Sequence, residues 1–105
     1  MILIIAFAIT SMVAYAKPYC QSFNNYDDKV TIIFIDDEAG DKYTVTDVKL
    51  IPSKNGKDSK ASSVSVSINN GVATGTLTFE HITQFSNPKV ELEINGRKTD
   101  FNVCH

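Results

Sequence analysis

The 105-residue sequence has no tryptophan, two cysteines, two histidines and three prolines, and its formal net charge is −2. So few cysteines exclude a scaffold carried by several bridges. Only two cysteines and two histidines nearly rule out a structural zinc site, which takes four ligands. The near-neutral balance argues against a nucleic-acid binder that works by neutralising phosphates. No apolar run is long enough to cross a bilayer, and no lipid-anchor tail follows. There is no Ser-His-Asp context, nucleophile elbow, phosphate-cradling glycine loop or metal-ligand cluster. What is present, 43% hydrophobic and 21% charged residues, is the composition of an ordinary folded protein. Disorder, collagen and coiled coil are thereby excluded, and the length allows one small domain.

Met1 to Ile9 is an apolar block, and Ala14-Tyr15-Ala16 follows it with small residues at the two positions a leader-cleavage site requires. The leader carries no Lys or Arg, so its positive charge is the terminal amine alone. Residues 1–16 read as a signal peptide and residues 17–105 as a single secreted, extracellular domain. In an oxidising compartment, Cys20 and Cys104 read as one disulfide that closes almost the whole domain. Chain entropy alone gives such a loop about 4.5 kcal/mol of stabilisation. A domain this small is marginal on core burial, so the bridge matters.

Three Asn-Gly pairs punctuate the chain: Asn55-Gly56, Asn70-Gly71 and Asn95-Gly96. Asn-Gly suits both positive-φ positions of a type I′ hairpin turn. A turn at Asn95-Gly96 sets Ile94, Leu92 and Val90 opposite Arg97, Thr99 and Phe101 on one face. Glu93 and Lys98 then pair favourably on the other, and Glu91 and Asp100 unfavourably. A turn at Asn70-Gly71 sets Ile68, Val66 and Val64 opposite Ala73, Gly75 and Leu77. The reverse face pairs Ser67 with Thr74, Ser65 with Thr76 and Ser63 with Thr78.

Upstream, Val30 to Ile35 is β-branched or apolar at nearly every position and reads as a central strand. Between Tyr43-Val45 and Val48-Leu50 the alternation changes phase, which predicts a β-bulge at Thr46-Asp47. Tyr19 to Asn24 reads as a short edge strand. Ile82 and Phe85, at helical spacing, predict one helical turn covering the core. Six to seven short strands predict an all-β, Ig-like antiparallel sandwich closed by one terminal disulfide, with a small Greek-key barrel as the alternative.

Three surfaces stand out. Asp36, Asp37, Glu38 and Asp41 form an acidic loop, a weak calcium candidate without EF-hand spacing. Lys49, Lys54, Lys57 and Lys60 surround Asn55-Gly56 as a basic loop that could meet sulfated glycan or anionic headgroups. Ser63, Ser65, Ser67, Thr74, Thr76 and Thr78 form an uncharged hydroxyl face, a candidate for binding a protein or a glycan. No Asn-x-Ser/Thr sequon occurs to cover it.

The apolar positions Val30, Ile32, Phe34, Tyr43, Val45, Val64, Val66, Ile68, Leu77, Phe79, Val90, Leu92, Ile94, Phe101 and Val103 either fill a dry core or line a cavity for a hydrophobic ligand. The terminal Cys20/Cys104 pattern on a sandwich resembles the secreted ML-type lipid-recognition domains, and that resemblance implies a small extracellular lipid carrier. Ala16-Lys17-Pro18-Tyr19-Cys20 and Ile94-Asn95-Gly96 before a terminal cysteine resemble the small fungal sandwich effectors of the ToxB type. Neither resemblance carries over a functional residue.

Catalysis has little to build on. Glu80 and His81 are adjacent and point to opposite faces of a strand, and no spacing brings His81 to His105. The expectation is a non-enzymatic secreted binding protein of effector, ligand or inhibitor type. It needs no cofactor, nucleic acid or membrane span, and it acts through its sheet face or loops.

Overall fold

A computed structural model describes residues 17–82 and 84–104; the expected signal peptide, residues 1–16, and His105 lie outside the described residues. Eight strands follow in chain order: β1 (Tyr19–Tyr26), β2 (Lys29–Asp36), β3 (Val45–Ile51), β4 (Ser59–Lys60), β5 (Ser63–Asn69), β6 (Val72–Glu80), β7 (Lys89–Ile94) and β8 (Arg97–Asn102). They form two four-stranded antiparallel sheets, β1-β2-β6-β5 and β4-β3-β7-β8. That is the order of an immunoglobulin-like sandwich whose second sheet gains one short strand. The Cys20–Cys104 disulfide ties edge strand β1 of the first sheet to the residues after edge strand β8 of the second, with Cα atoms 5.6 Å apart.

Local chemistry accounts for the strand pairs. Asn70-Gly71 and Asn95-Gly96 both hold positive φ at each residue, as a two-residue primed turn requires. The two hairpins adopt the registers their alternation dictates, Ser65 opposite Thr76 and Leu92 opposite Thr99. Lys89 reaches both Glu91 and Asp100 at 3.7 Å, which offsets the repulsion of that facing pair. The predicted bulge sits in β3, where pairing with β7 slips between Thr46 and Lys49 and Asp47 takes φ 51°. Asn55-Gly56 departs from the other two pairs. It closes a turn through Gly56 N–H to the Ser53 carbonyl at 3.0 Å, without positive φ.

The core lies between the sheets. Val30, Ile32 and Phe34 of β2 meet Leu77 and Phe79 of β6, and across the sandwich Val48, Leu50, Val90, Leu92, Ile94 and Phe101. Phe34 lies directly over Gly75, its partner across β2 and β6, and its ring centroid is 5.7 Å from that of Phe101 in the opposite sheet. A Cβ at position 75 would overlap the Phe34 ring.

Three expectations need correction. Among the described residues the strand count is eight, because Ser59–Lys60 pairs with Lys49 and Leu50 inside what reads as a loop. No helix occurs among the described residues. Ile82 does cover the core and Phe85 packs edge-to-face on Phe23 at 5.4 Å. The backbone there bonds to neighbouring elements instead of to itself: Ile82 N–H to the Asp28 carbonyl and Ser86 N–H to that of Pro52. Finally, Val64 and Ile68, expected inside, are 42% and 40% exposed. They sit on edge strand β5, and the facing edge strand β4 is two residues long and too short to cover them.

Candidate functional site

The six hydroxyl residues read from the sequence come together as a ladder, Ser63 beside Thr78, Ser65 beside Thr76 and Ser67 beside Thr74. The structure extends that ladder across the whole sheet. Thr78, Thr76 and Thr74 are flanked on their other side by Thr31, Ile33 and Ile35 of β2. Those in turn lie beside Asn24, Ser22 and Tyr19 of β1. Cross-strand partners share a face. The outer surface of the first sheet is therefore a field of hydroxyl, amide and aliphatic groups without a charge in its central rows. Lys29 and Glu80, paired at one end, are where charge begins. Tyr26 projects 71% exposed beside Lys29, and Tyr19 is 48% exposed at the far end of β1.

The sequence pattern missed the β1 and β2 contributions. An almost continuous apolar run reads as a strand buried on both sides. Here Ile33 and Ile35 face outward and are half-buried only by their neighbours in the sheet. The alternation of Thr31 with Val30 and Ile32 was the available signal.

The face ends at β5, and β5 is an open edge. A two-residue turn makes Asn69 and Val72 a hydrogen-bonded pair, so Val64, Val66 and Ile68 direct their N–H and C=O groups away from β6. No charge, proline or register shift blocks this edge. The other edges are guarded: β1 by a bulge between Cys20 and Ser22 and by the disulfide, β4 by its length, and β8 by Arg97, Lys98 and Asp100.

The outer face of the second sheet is its opposite in character. Lys60, Lys49, Glu91 and Asp100 form one cross-strand row, and Glu93 with Lys98 the next. A shallow depression of about 720 Å³ runs over these charged residues and past the β3 bulge to Val64. Its lining also takes in Val48 and Leu92 of the core cluster. Of the apolar residues that would line a lipid cavity, Phe34, Leu77 and Phe79 are fully buried and belong to the core cluster, while Val64 and Ile68 are exposed.

The basic residues divide between two settings. Lys49 and Lys60 are strand partners on the charged face, with Lys49 3.9 Å from Asp58, while Lys54 and Lys57 are exposed in the turn between β3 and β4. The acidic residues do not converge either. Asp36 points into the sandwich and is 0% exposed, while Asp37, Glu38 and Asp41 are exposed. Among the described residues no group of three or more His, Cys, Asp or Glu could hold a metal ion.

Asp36 instead organises the loop. It accepts hydrogen bonds from the Tyr43 hydroxyl at 2.9 Å, the Glu38 N–H at 2.9 Å and the Lys17 backbone N–H at 3.2 Å. Burial, and then the hydrogen bond and charge of Asp36, push the ionisation of Tyr43 far upward. Asn95 fastens the end of this loop, accepting from Thr44 N–H at 2.9 Å and donating to the Lys42 carbonyl at 3.1 Å. The same parity that buries Val30, Ile32 and Phe34 buries Asp36, so its inward turn was legible in β2. His81 lies in an exposed turn with φ 64°, 3.5 Å from Asp28.

These features define a class, a disulfide-closed immunoglobulin-like sandwich with one neutral and one charged outer face. The chain belongs to the family described as a domain of unknown function, DUF8177, whose model matches residues 19–105. No curated protein and no solved structure matches it. No helix among the described residues is long and apolar enough to cross a membrane.

Proposed function

We propose that residues 1–16 direct secretion and that the mature sandwich is a non-enzymatic binding protein. It engages a protein or glycan partner through the outer face of the first sheet and its β5 edge. One observation carries this reading: the uncharged field from Tyr19 to Ser67 runs without interruption into an edge strand with unpaired backbone groups. Tyrosine supplies large contact area at low entropic cost, and Ser, Thr and Asn supply adaptable hydrogen bonds. The open edge adds main-chain pairing to a partner strand.

A neutral contact of this kind differs from a charged one in its response to salt, since screening acts on charge pairs. Affinity for a captured partner is expected to change less than about twofold between ~50 and ~500 mM salt. Thr76→Lys, at the centre of the face, is expected to abolish capture, and Glu93→Lys on the opposite sheet to leave it intact. The reverse pattern transfers the function to the charged face.

A further inference from the structure

Asp36 is a buried acid whose described hydrogen-bond partners carry no charge. Among the described residues its hydrogen-bond donors are a phenol and two backbone amides, none of them charged, and the ion pairs of Lys17, Lys49, His81 and Lys89 go to other carboxylates. A carboxylate taken out of water is costly unless a positive charge accompanies it. One of those amides is the nitrogen of Lys17, 3.2 Å from Oδ2. The residue before it is Ala16, the last position of the Ala14-Tyr15-Ala16 cleavage pattern.

We propose that cleavage between Ala16 and Lys17 supplies the missing charge. The α-ammonium of Lys17 becomes the ion-pair partner of Asp36, and maturation thereby locks the N-terminus to the loop between β2 and β3. The step is hydrolysis by a leader peptidase. The Ala16–Lys17 peptide bond breaks, and water gives its hydroxyl to the Ala16 carbonyl carbon and a proton to the Lys17 nitrogen. The freed amine then takes a second proton from solvent, because an α-amine is about half protonated at pH ~7.7–8.0 even without a partner. The nitrogen needs no relocation, since it already faces the carboxylate.

The surroundings favour a cation there. Asp37 and Glu38 follow Asp36 in the chain, and Tyr43 from the same loop and Tyr19 from β1 add polar hydroxyls. The side-chain ammonium of Lys17 is already engaged by Glu38 at 3.7 Å. The acidic loop thus acquires a role as the receptor of the chain's own processed terminus. Pro18, buried immediately after Lys17, fixes the direction of approach.

The inference rests on the secretory reading of residues 1–16, and the two can fail separately. N-terminal sequencing of the exported protein tests the cleavage position: a start other than Lys17 overturns that reading. The ion pair is tested on two refolded proteins, one beginning at Lys17 and one retaining Ala16. The Lys17 form is expected to have a folding equilibrium constant at least about tenfold larger at pH 6.5, corresponding to an amine raised by about one pH unit or more. A raised amine stabilises below its unfolded titration, so the gap should close as pH rises through the folded value. Asp36→Asn should remove the gap.

Titration of the α-amine by ¹⁵N NMR in the otherwise unaltered Lys17 form gives a readout that needs no variant to fold. Equal stability of the two forms, a gap that survives Asp36→Asn, or an amine that titrates at its ordinary value overturns the ion pair.

Discussion

Gly75 is the position where the packing argument is most exposed to experiment. Glycine in a strand interior normally weakens it, and replacement by alanine normally gains about 0.5–1 kcal/mol. The structure reverses that sign. A Cβ on Gly75 overlaps Cδ2, Cε2 and Cζ of Phe34. The ring cannot swing away, because Phe34 is 0% exposed and packs against Phe101 from the second sheet. Overpacking of this kind costs about 1–3 kcal/mol.

For a domain of this size, a loss near 2 kcal/mol lowers Tm by about 8–16 °C. Gly75→Ala should be measured by urea and thermal denaturation beside Phe34→Leu and the double variant. Phe34→Leu alone should cost about 1–2 kcal/mol through lost burial. If the clash is the cause, trimming the ring makes room for the methyl, and the double variant loses at least about 1 kcal/mol less than the sum. A neutral or stabilising Gly75→Ala, or strict additivity, refutes the reasoning.

The fold was legible where a residue type and a periodicity agree. Asn70-Gly71 and Asn95-Gly96 demand positive φ, and the alternation on either side leaves one register that separates apolar from polar. Both hairpins follow it. The phase change at Thr46-Asp47 has one local solution, a bulge, and β3 adopts it. What alternation cannot report is whether a second layer reaches a given face. Val64 and Ile68 alternate as cleanly as Leu77 and Phe79, yet the first pair is exposed because β4 ends after Lys60.

Ser59–Lys60 carries no strand pattern of its own and exists as a strand because the edge of β3 offers it backbone partners. The spacing of Ile82 and Phe85 suits a helical turn equally well, and long-range bonds to Asp28 and Pro52 decide against one. The candidate site was half legible for the same reason. Register joins Ser65 to Thr76 from sequence, while the addition of Ile33 and Ser22 depends on β2 lying beside β6. That neighbour relation is set by a crossover, which no local signal encodes.

Two further perturbations test the frame that holds these faces. Replacing Cys20 and Cys104 together by alanine opens a loop of 84 residues and should lower stability by about 4.5 kcal/mol in denaturant unfolding. A loss under about 1 kcal/mol would remove the disulfide as the clasp of the domain. The second perturbation is alkaline pH. The folded protein holds Tyr43 neutral against burial and the Asp36 carboxylate, so its folded ionisation lies above the unfolded value near pH 10. The contribution of Tyr43 is therefore complete below about pH 10 and is lost as pH rises beyond it, because the unfolded chain releases the proton first. Tyr43→Phe removes the hydrogen bond to Asp36 and should cost about 2 kcal/mol at pH 7. It also removes the ionisable group, so its stability should fall less steeply than that of the parent between about pH 9.5 and 11.5. Parallel curves over that range would show that the phenol titrates alike in both states and would sever Tyr43 from the buried carboxylate.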